Sequence, residues 1–280
     1  MRLRPPAKLN RFLHITGRRA DGYHLLQTAF DLIDWCDELD VVLRDDGLIE
    51  RIGGIAEVAV DDDLVVRAAR VLQPLAPAGA GCTLTLTKHI PTGAGLGGGS
   101  ADAAATLLAL NHLWQLRLGL DDLIRIGARL GADVPVFLGQ QPAFAEGIGE
   151  LLQPLPFVHR HYLVVHPGVA LATGPMFAHP ALRRDCAPVS AAQYLAGGID
   201  DNVFAPVARA LAPEVVAAMD WLQVRCGHAR LTGSGSAVFA EVAEPAAARA
   251  HLAELAVNWR GRVATSVANW FDNALARAGK

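Results

Sequence analysis

The chain has 280 residues, of which 52% are hydrophobic and 19% are charged, and its formal net charge is −3. This length suffices for about two domains with their own cores, and the composition excludes a disordered chain. The slight acidic excess argues against a dedicated nucleic-acid or membrane-surface protein, which would carry a basic stripe. The four cysteines show no zinc or redox spacing, which predicts reduced thiols in a cytosolic protein.

The first half of the chain alternates strand and helix patterns. Residues 7–15 and 24–33 are predicted to form two strands joined by a loop over 16–23, and period-two alternation predicts two more strands at 38–44 and 82–88. Helical spacing after Asp62 and Asp63 predicts a helix. Further helices are predicted to begin at Ser100 and to cover residues 121–130 before Gly131.

Beyond Asp133 the pattern returns to short strands, predicted at residues 143–147, 150–155 and 162–166. The last third alternates three predicted helices, 202–211, 214–226 and 246–256, with three predicted strands, 229–232, 237–242 and 261–267. Such a mixture predicts an α+β fold. We expect two lobes, residues 1–155 and 156–280, which meet near the prolines at 154 and 156.

A glycine-rich segment separates a predicted strand from a predicted helix. It comprises Pro91, Thr92, Gly93, Ala94, Gly95, Leu96, Gly97, Gly98, Gly99, Ser100 and Ala101. Its five glycines expose backbone N–H groups without Cβ obstruction, and the helix N-terminus adds unpaired donors and about half a positive charge. The segment therefore predicts a phosphate-binding loop rather than a flexible turn.

Two common phosphate loops do not fit this segment. A Walker loop ends in Gly-Lys-Ser/Thr, whereas Gly99, Ser100 and Ala101 provide no lysine. Gly93, Gly95 and Gly98 satisfy G-x-G-x-x-G, but residues 88–92 separate them from the strand. In addition, a helix is predicted about 20 residues later, where a dinucleotide fold has a strand ending in an acid.

The glycine-rich segment resembles the phosphate loop of the galactokinase, homoserine kinase and mevalonate kinase (GHMP) superfamily. Three other segments resemble the 4-diphosphocytidyl-2-C-methyl-D-erythritol kinase family: residues 6–10 (Pro-Ala-Lys-Leu-Asn), 16–24 (Thr-Gly-Arg-Arg-Ala-Asp-Gly-Tyr-His) and 131–137 (Gly-Ala-Asp-Val-Pro-Val-Phe). Residues 231–236 (Leu-Thr-Gly-Ser-Gly-Ser) fit the third superfamily motif. The resemblance implies a two-lobed GHMP-kinase fold, with an N-terminal ribosomal-S5-like lobe and a C-terminal αβ lobe.

The resemblance also implies catalytic roles for Asp133, which takes the proton from the substrate hydroxyl, and for Lys8 beside it. A lysine at about 4 Å offers roughly 4 kcal/mol at an effective dielectric near 20, which keeps the carboxylate ionised. Without the resemblance, Asp133 before Val134 and Pro135 fits a helix N-cap, and Lys8 fits a solvated strand lysine.

For the substrate, the resemblance assigns cytidine recognition to Tyr23, His24 and Phe177, and contacts with the sugar alcohol and phosphates to Asn10 and Thr173. Aromatic faces suit a pyrimidine, at about 1–3 kcal/mol per stacked base. The ordinary alternatives are core aromatics and a hydrogen-bonded strand histidine.

The expected cofactors are ATP and Mg²⁺. Ser100 offers its hydroxyl to the metal or a phosphate, or caps the helix, and no metal ligand set can be assigned. Gly233 and Gly235 bring the second lobe's backbone close to the phosphates or form a turn. Two segments depart from the family pattern: Asp62-Asp63-Leu64, where Asp-Asn-Leu is expected, and the C-terminal residues 268–272, which receive no role.

The resemblance implies transfer of the ATP γ-phosphoryl group to the 2-hydroxyl of 4-diphosphocytidyl-2-C-methyl-D-erythritol, in non-mevalonate isoprenoid biosynthesis. The expected partner is this small molecule, with neither nucleic acid nor membrane, and the oligomeric state is open. Because the first motif begins at residue 6, no room remains for a transit peptide, and we expect the bacterial cytoplasm. The alternatives are a homoserine or mevalonate kinase and a nucleotide sensor without turnover.

Overall fold

The computed structural model describes residues 1–278. Its strands are β1 (Arg2–Leu3), β2 (Pro6–Arg18), β3 (His24–Cys36), β4 (Glu38–Arg44), β5 (Ile49–Gly53), β6 (Gly81–Thr87), β7 (Ala143–Glu146), β8 (Leu151–Pro154), β9 (His161–His166), β10 (Arg230–Leu231), β11 (Val238–Val242) and β12 (Arg260–Val267). Its helices are α1 (Leu64–Leu72), α2 (Gly98–Leu113), α3 (Leu120–Leu130), α4 (Val134–Leu138), α5 (Thr173–Ala178), α6 (Ala191–Leu195), α7 (Ala205–Leu211), α8 (Pro213–Cys226), α9 (Pro245–His251) and α10 (Trp270–Ala278). Within the described residues, none of these helices has the length and hydropathy of a membrane span.

A four-stranded sheet in the order β1-β4-β6-β5 forms one layer of the first half of the chain. Strands β4 and β6 alternate inward residues such as Leu39, Val41, Leu84 and Leu86 with outward ones. The inward side chains share one core with helices α1 to α4. The helices pack on this face of the sheet, and α2 lies close to the end of β6, where Lys88 contacts Asp102.

A second sheet follows the order β10-β11-β9-β12-β3-β7-β8, and β2 pairs with β3 outside this path. It takes strands from both sides of residue 155, joined where Ser266 and Val267 of β12 pair with Ile33 and Leu32 of β3. The division of the chain into lobes at this position stays a prediction.

Strand β2 pairs with β3 along one edge only, and its other edge bonds to three distant segments. Its N–H groups at Lys8, Asn10 and Leu13 donate to the carbonyl of Leu96 at 2.9 Å, to Oγ1 of Thr232 at 3.0 Å and to the carbonyl of Asp201 at 2.9 Å. A strand edge with unpaired backbone groups needs such partners. This edge therefore gathers the glycine-rich segment and the 231–236 motif against one strand.

Most predicted elements correspond to observed ones within a few residues. Helix α2 begins at Gly98, two residues before the predicted start at Ser100, because Gly97 adopts a left-handed conformation (φ 74°) that turns the chain into the helix. The helix predicted from residue 202 begins instead at Ala205. The side chain of Asn202 accepts a hydrogen bond from the N–H of Phe204 and holds that stretch as a turn.

Six elements were not predicted from the sequence: β1, β5, α4, α5, α6 and α10. Strand β5 joins the four-stranded sheet in parallel through its pairing with β6, a long-range contact. Helix α10 begins within the C-terminal segment to which no role was assigned. Its Trp270 side chain donates a hydrogen bond to the carbonyl of Phe137 at 3.1 Å, so this segment covers the end of α4.

Asp63 stands where the family pattern has asparagine, and the structure gives it a local role. One carboxylate oxygen accepts the N–H of Val65 at 3.0 Å and caps α1, while the other lies 2.7 Å from Nη1 of Arg51. Both side chains of this ion pair are largely buried. An aspartate at this position therefore ties α1 to β5.

We expect Asp63→Ala to lower the free energy of unfolding by about 3 kcal/mol, because it removes a helix cap and leaves Arg51 unpaired. Urea denaturation measures this change. The matched control is Asp61→Ala, whose carboxylate is 77% exposed and pairs with Arg70, and it should cost less than about 1 kcal/mol. Equal losses for the two variants would contradict the assignment.

Candidate active site

Four carbonyls of the glycine-rich segment, at residues 93–96, bind other parts of the protein, and the fifth, at Gly97, accepts the first hydrogen bond of α2. Five consecutive carbonyls, at residues 93–97, accept hydrogen bonds from Leu171 N, Ala237 N, Thr232 Oγ1, Lys8 N and Ala101 N, in that order. Within residues 1–278, none of the five N–H groups at 93–97 has an acceptor. A run of free N–H donors forms a concavity suited to an anion.

Close packing explains the glycines at two of these positions. A Cβ at Gly95 would lie 2.2 Å from the carbonyl oxygen of Thr232, and one at Gly97 would lie 2.9 Å from the ring of Phe137. Both residues also have φ of +74°, which side chains rarely adopt. The backbone here therefore approaches its neighbours at distances that only glycine permits.

The first turn of α2 continues this row of donors. The first N–H groups of any helix lack intrahelical partners and carry the positive end of its dipole, and in α2 no side-chain cap accepts from them. Pro91, Ala94, Leu96 and Ala101 are buried, whereas Thr92, Gly93 and Gly99 are exposed. The four buried residues offer a ligand only their backbone.

Lys8 and Asp133 come together as the resemblance implies. Nζ of Lys8 lies 3.5 Å from Oδ2 of Asp133, and the two side chains are 4% and 37% exposed. The ammonium also donates to Oδ1 of Asn10 at 2.5 Å and lies 5.4 Å from the ring centre of Phe30. Asp133 precedes α4, but its carboxylate makes no capping hydrogen bond and is left to face the cavity.

The pair lies between the glycine-rich segment and the 231–236 motif. A Cβ at Gly97 would lie 3.1 Å from Cγ of Lys8, and a Cβ at Gly233 would lie 3.3 Å from Nζ of Lys8. The Lys8 side chain thus contacts the start of α2 on one side and the 231–236 motif on the other.

A cavity of about 700 Å³ contains Lys8 and Asp133. All five residues predicted to bind the substrate line the same cavity: Asn10, Tyr23, His24, Thr173 and Phe177. Residues 91–101 lie outside its lining and meet it at Lys8. The structure therefore brings together two neighbouring spaces, one lined by side chains and one by backbone donors.

The far end of the cavity is aromatic. His24 and Phe177 stack with ring centres 4.9 Å apart and planes 22° apart, and Tyr23 is 62% exposed beside them. Burial lowers the pKa of His24, helped by Arg184 and Arg18, so the ring is neutral at pH 7. Its buried Nε2 has no hydrogen-bond partner within residues 1–278.

Other polar residues support this site and carried no recognisable sequence signal. Thr28 accepts a hydrogen bond from the Asn10 amide at 2.9 Å. The amide of Asn202 donates to the carbonyls of Leu231 and Gly233, each at 2.9 Å, and so holds the 231–236 motif in place. Asn202 was predicted only as part of a helix, because its contacts are distant in sequence.

A buried ion cluster under the glycine-rich segment was also missed. Nζ of Lys88 contacts both Asp37 and Asp102. Burial raises the pKa of Asp102 to about 7, although Lys88 opposes this shift, and Asp37 adds to it. The only sign of this cluster in the sequence was Asp102, a charged residue within an alanine-rich predicted helix.

Gly95→Ala tests the close packing of the segment. We expect the free energy of unfolding to fall by at least about 3 kcal/mol, because the left-handed conformation and the contact with the Thr232 carbonyl both oppose a Cβ. The control is Gly197→Ala, which has φ of +94° but nothing within 4 Å, and it should cost about 1 kcal/mol. Urea denaturation compares them, and similar losses would rule out the packing argument.

Comparisons with known proteins agree with this arrangement. The GHMP kinases N-terminal domain family matches residues 63–141, which include the glycine-rich segment and Asp133, and the GHMP kinases C-terminal family matches residues 178–259. A crystal structure of a 4-(cytidine 5'-diphospho)-2C-methyl-D-erythritol kinase superposes with a TM-score of 0.82. It shares 32% sequence identity and covers 96% of this chain and 100% of its own.

A homoserine kinase from Cytophaga hutchinsonii, 20% identical with a TM-score of 0.64 over 96% of this chain and 95% of its own, shares the fold. Two relatives named 4-diphosphocytidyl-2-C-methyl-D-erythritol kinase are much closer. The Nitrosococcus oceani protein is 49% identical over 92% of each chain, and the Cupriavidus necator protein is 48% identical over 94% of this chain and 91% of its own. The chain therefore has the GHMP-kinase fold and belongs to the 4-diphosphocytidyl-2-C-methyl-D-erythritol kinase family.

Proposed function

We propose that this protein transfers the γ-phosphoryl group of ATP to the 2-hydroxyl of 4-diphosphocytidyl-2-C-methyl-D-erythritol, in non-mevalonate isoprenoid precursor biosynthesis. The observation that carries the proposal is the Lys8–Asp133 pair, 3.5 Å apart, at the junction of a substrate-sized cavity and a row of free N–H donors. Relatives that carry this kinase name at about 50% identity support the choice of substrate.

ATP would place its phosphates on residues 91–101. The N–H groups at 93–97 and at the start of α2 are donors without acceptors, and the helix dipole favours negative charge there. Within residues 1–278, no group of three His, Cys, Asp or Glu side chains could hold a metal. Mg²⁺ fits this site as an ion that arrives on phosphate oxygens and water, and it supplies charge neutralisation when bound.

Asp133 is the proposed general base. Its carboxylate takes the proton of the 2-hydroxyl while the hydroxyl oxygen forms a bond to the γ-phosphorus. The bond from that phosphorus to the bridging oxygen breaks, and ADP leaves. Lys8, buried 3.5 Å from Asp133, holds the carboxylate in place and balances charge on the transferring group.

The cytidine end of the substrate would occupy the aromatic end of the cavity. Tyr23, His24 and Phe177 offer ring faces for stacking in the lining of the cavity. Asn10 and Thr173 lie nearer the 231–236 motif, since Thr173 Oγ1 is 3.4 Å from Ser234 Oγ and Asn10 bonds to Thr232. This aromatic end favours cytidine over homoserine or mevalonate, because neither of these has a ring.

In this proposal, both predicted lobes contribute residues to the site. Residues 1–155 supply Lys8, the glycine-rich segment and Asp133, and residues 156–280 supply Thr173 and Phe177. Both lobes meet in the 700 Å³ cavity, whose size is in the usual range for a small-molecule site.

Asp133→Asn separates a kinase from a nucleotide sensor. We expect kcat to fall by about 10²–10⁴-fold while ATP affinity is retained, because the variant loses the base but keeps the phosphate loop. Mass spectrometry of the cytidylyl substrate after incubation with ATP and Mg²⁺ measures the product. Asp121→Asn, on an exposed acid at the start of α3, should leave the rate unchanged. An unchanged substrate mass with folded wild-type protein would overturn the proposal.

A further inference from the structure

Three charged side chains form a buried cluster below the glycine-rich segment. Lys88 directly follows β6, three residues before the segment. Asp102 lies in α2 immediately after the segment, and Asp37 connects β3 to β4. Nζ of Lys88 contacts a carboxylate oxygen of Asp37 and lies 2.5 Å from Oδ2 of Asp102. Both carboxylates are inaccessible, and Asp102 is 1% exposed.

The cluster links the two ends of the segment. The second oxygen of Asp37 accepts the N–H groups of His89 at 2.5 Å and Ile90 at 2.8 Å, the two residues that lead into the segment. A Cβ at Gly98 would lie 3.2 Å from an Asp37 oxygen, so the cluster packs directly against the first residue of α2. The ammonium thus fixes the separation between the end of β6 and the first turns of α2.

Stabilisation of the fold alone is a poor explanation for this cluster, because the burial of charged groups costs free energy. Two carboxylates share one ammonium, and Oδ1 of Asp102 has no hydrogen-bond partner within residues 1–278. The next charged group that acts on Asp102 is Asp63, which is another acid and is already paired with Arg51. Apolar side chains of similar volume often replace a buried ion cluster without loss of stability. Stability alone therefore does not require these charges.

We propose that Asp37, Lys88 and Asp102 are positioning residues that hold the two ends of the glycine-rich segment at the spacing its N–H donors need to bind nucleotide phosphates. The cluster acts through the backbone and touches no substrate. The inference rests on the proposed function only for the identity of the anion, a nucleoside di- or triphosphate.

Lys88→Met provides the first test, with binding measured in the absence of turnover. Isothermal titration with ADP should show affinity reduced at least about tenfold, because the ends of the segment are no longer joined. Affinity for free cytidine diphosphate should stay within about twofold, because its proposed site is lined by other residues. Asp102→Asn keeps an oxygen for Lys88 and should retain most of the ADP affinity. Equal loss for both nucleotides would overturn the inference.

A triple variant separates positioning from stability if Lys88→Met folds poorly. Lys88→Met with Asp37→Asn and Asp102→Leu removes all three buried charges, and its melting temperature should return towards that of the wild type. We expect its ADP affinity to stay low. Recovery of both properties would show that the cluster only balances charge, and the inference would fail.

Asp31→Asn is the matched control, because Asp31 is equally buried and its carboxylate contacts Arg11, Arg160 and Tyr162, none of which belongs to the glycine-rich segment. It should lower the melting temperature and leave ADP affinity within about twofold. A loss of ADP affinity in this control would also overturn the inference. Failure of the proposed function is distinct, since it appears as absent phosphorylation in a wild-type protein that binds ADP.

Discussion

The free edge of β2 is the constraint on which the site depends. A strand with one unpaired edge must satisfy its backbone groups elsewhere, and β2 does so with Leu96, Thr232 and Asp201. Lys8 and Asn10 lie two residues apart on this strand, pair with Leu32 and Phe30, and so point to one face. Strand β2 thus supplies both the backbone hydrogen bonds that hold the site together and two of its polar side chains.

Burial of the Lys8 ammonium gives this arrangement its electrostatic character. A buried cation is costly unless it is paired and hydrogen-bonded, and here Asn10 and Asp133 meet that need. The Asp133 carboxylate is partly exposed and accepts no capping hydrogen bond from α4, so its oxygens face the cavity. One lysine therefore links the strand, the carboxylate and the start of α2.

Much of this organisation follows from local sequence. Sequence patterns located β2, β3, β4 and β6. Strands β4 and β6 alternate because each has one face against a core, whereas β2 and β3 are buried along most of their length. The family resemblance brought Lys8, Asp133 and the aromatic residues into consideration, and the structure places all of them in one cavity. Composition and spacing alone left Asp133 as a helix cap and Lys8 as a surface residue.

What the sequence did not reveal depends on contacts between distant residues. Asn202 bonds to carbonyls about 30 residues away, and the Lys88 cluster joins three elements through side chains that look ordinary in sequence. Strand β5 is defined by its parallel partner, and α10 by the surface it covers. Such features follow from tertiary packing, which period and propensity do not encode.

The use of successive carbonyls by different partners has an evolutionary consequence. Residues 93–96 each bond to a different distant position in the fold, and Gly97 bonds to Ala101 of α2, so the number of these residues as well as their identity is fixed. An inserted or deleted residue would shift every later carbonyl away from its partner at once. Length variation among homologues should therefore collect in exposed turns, such as the one around Gly197 and Gly198, where added chain meets nothing.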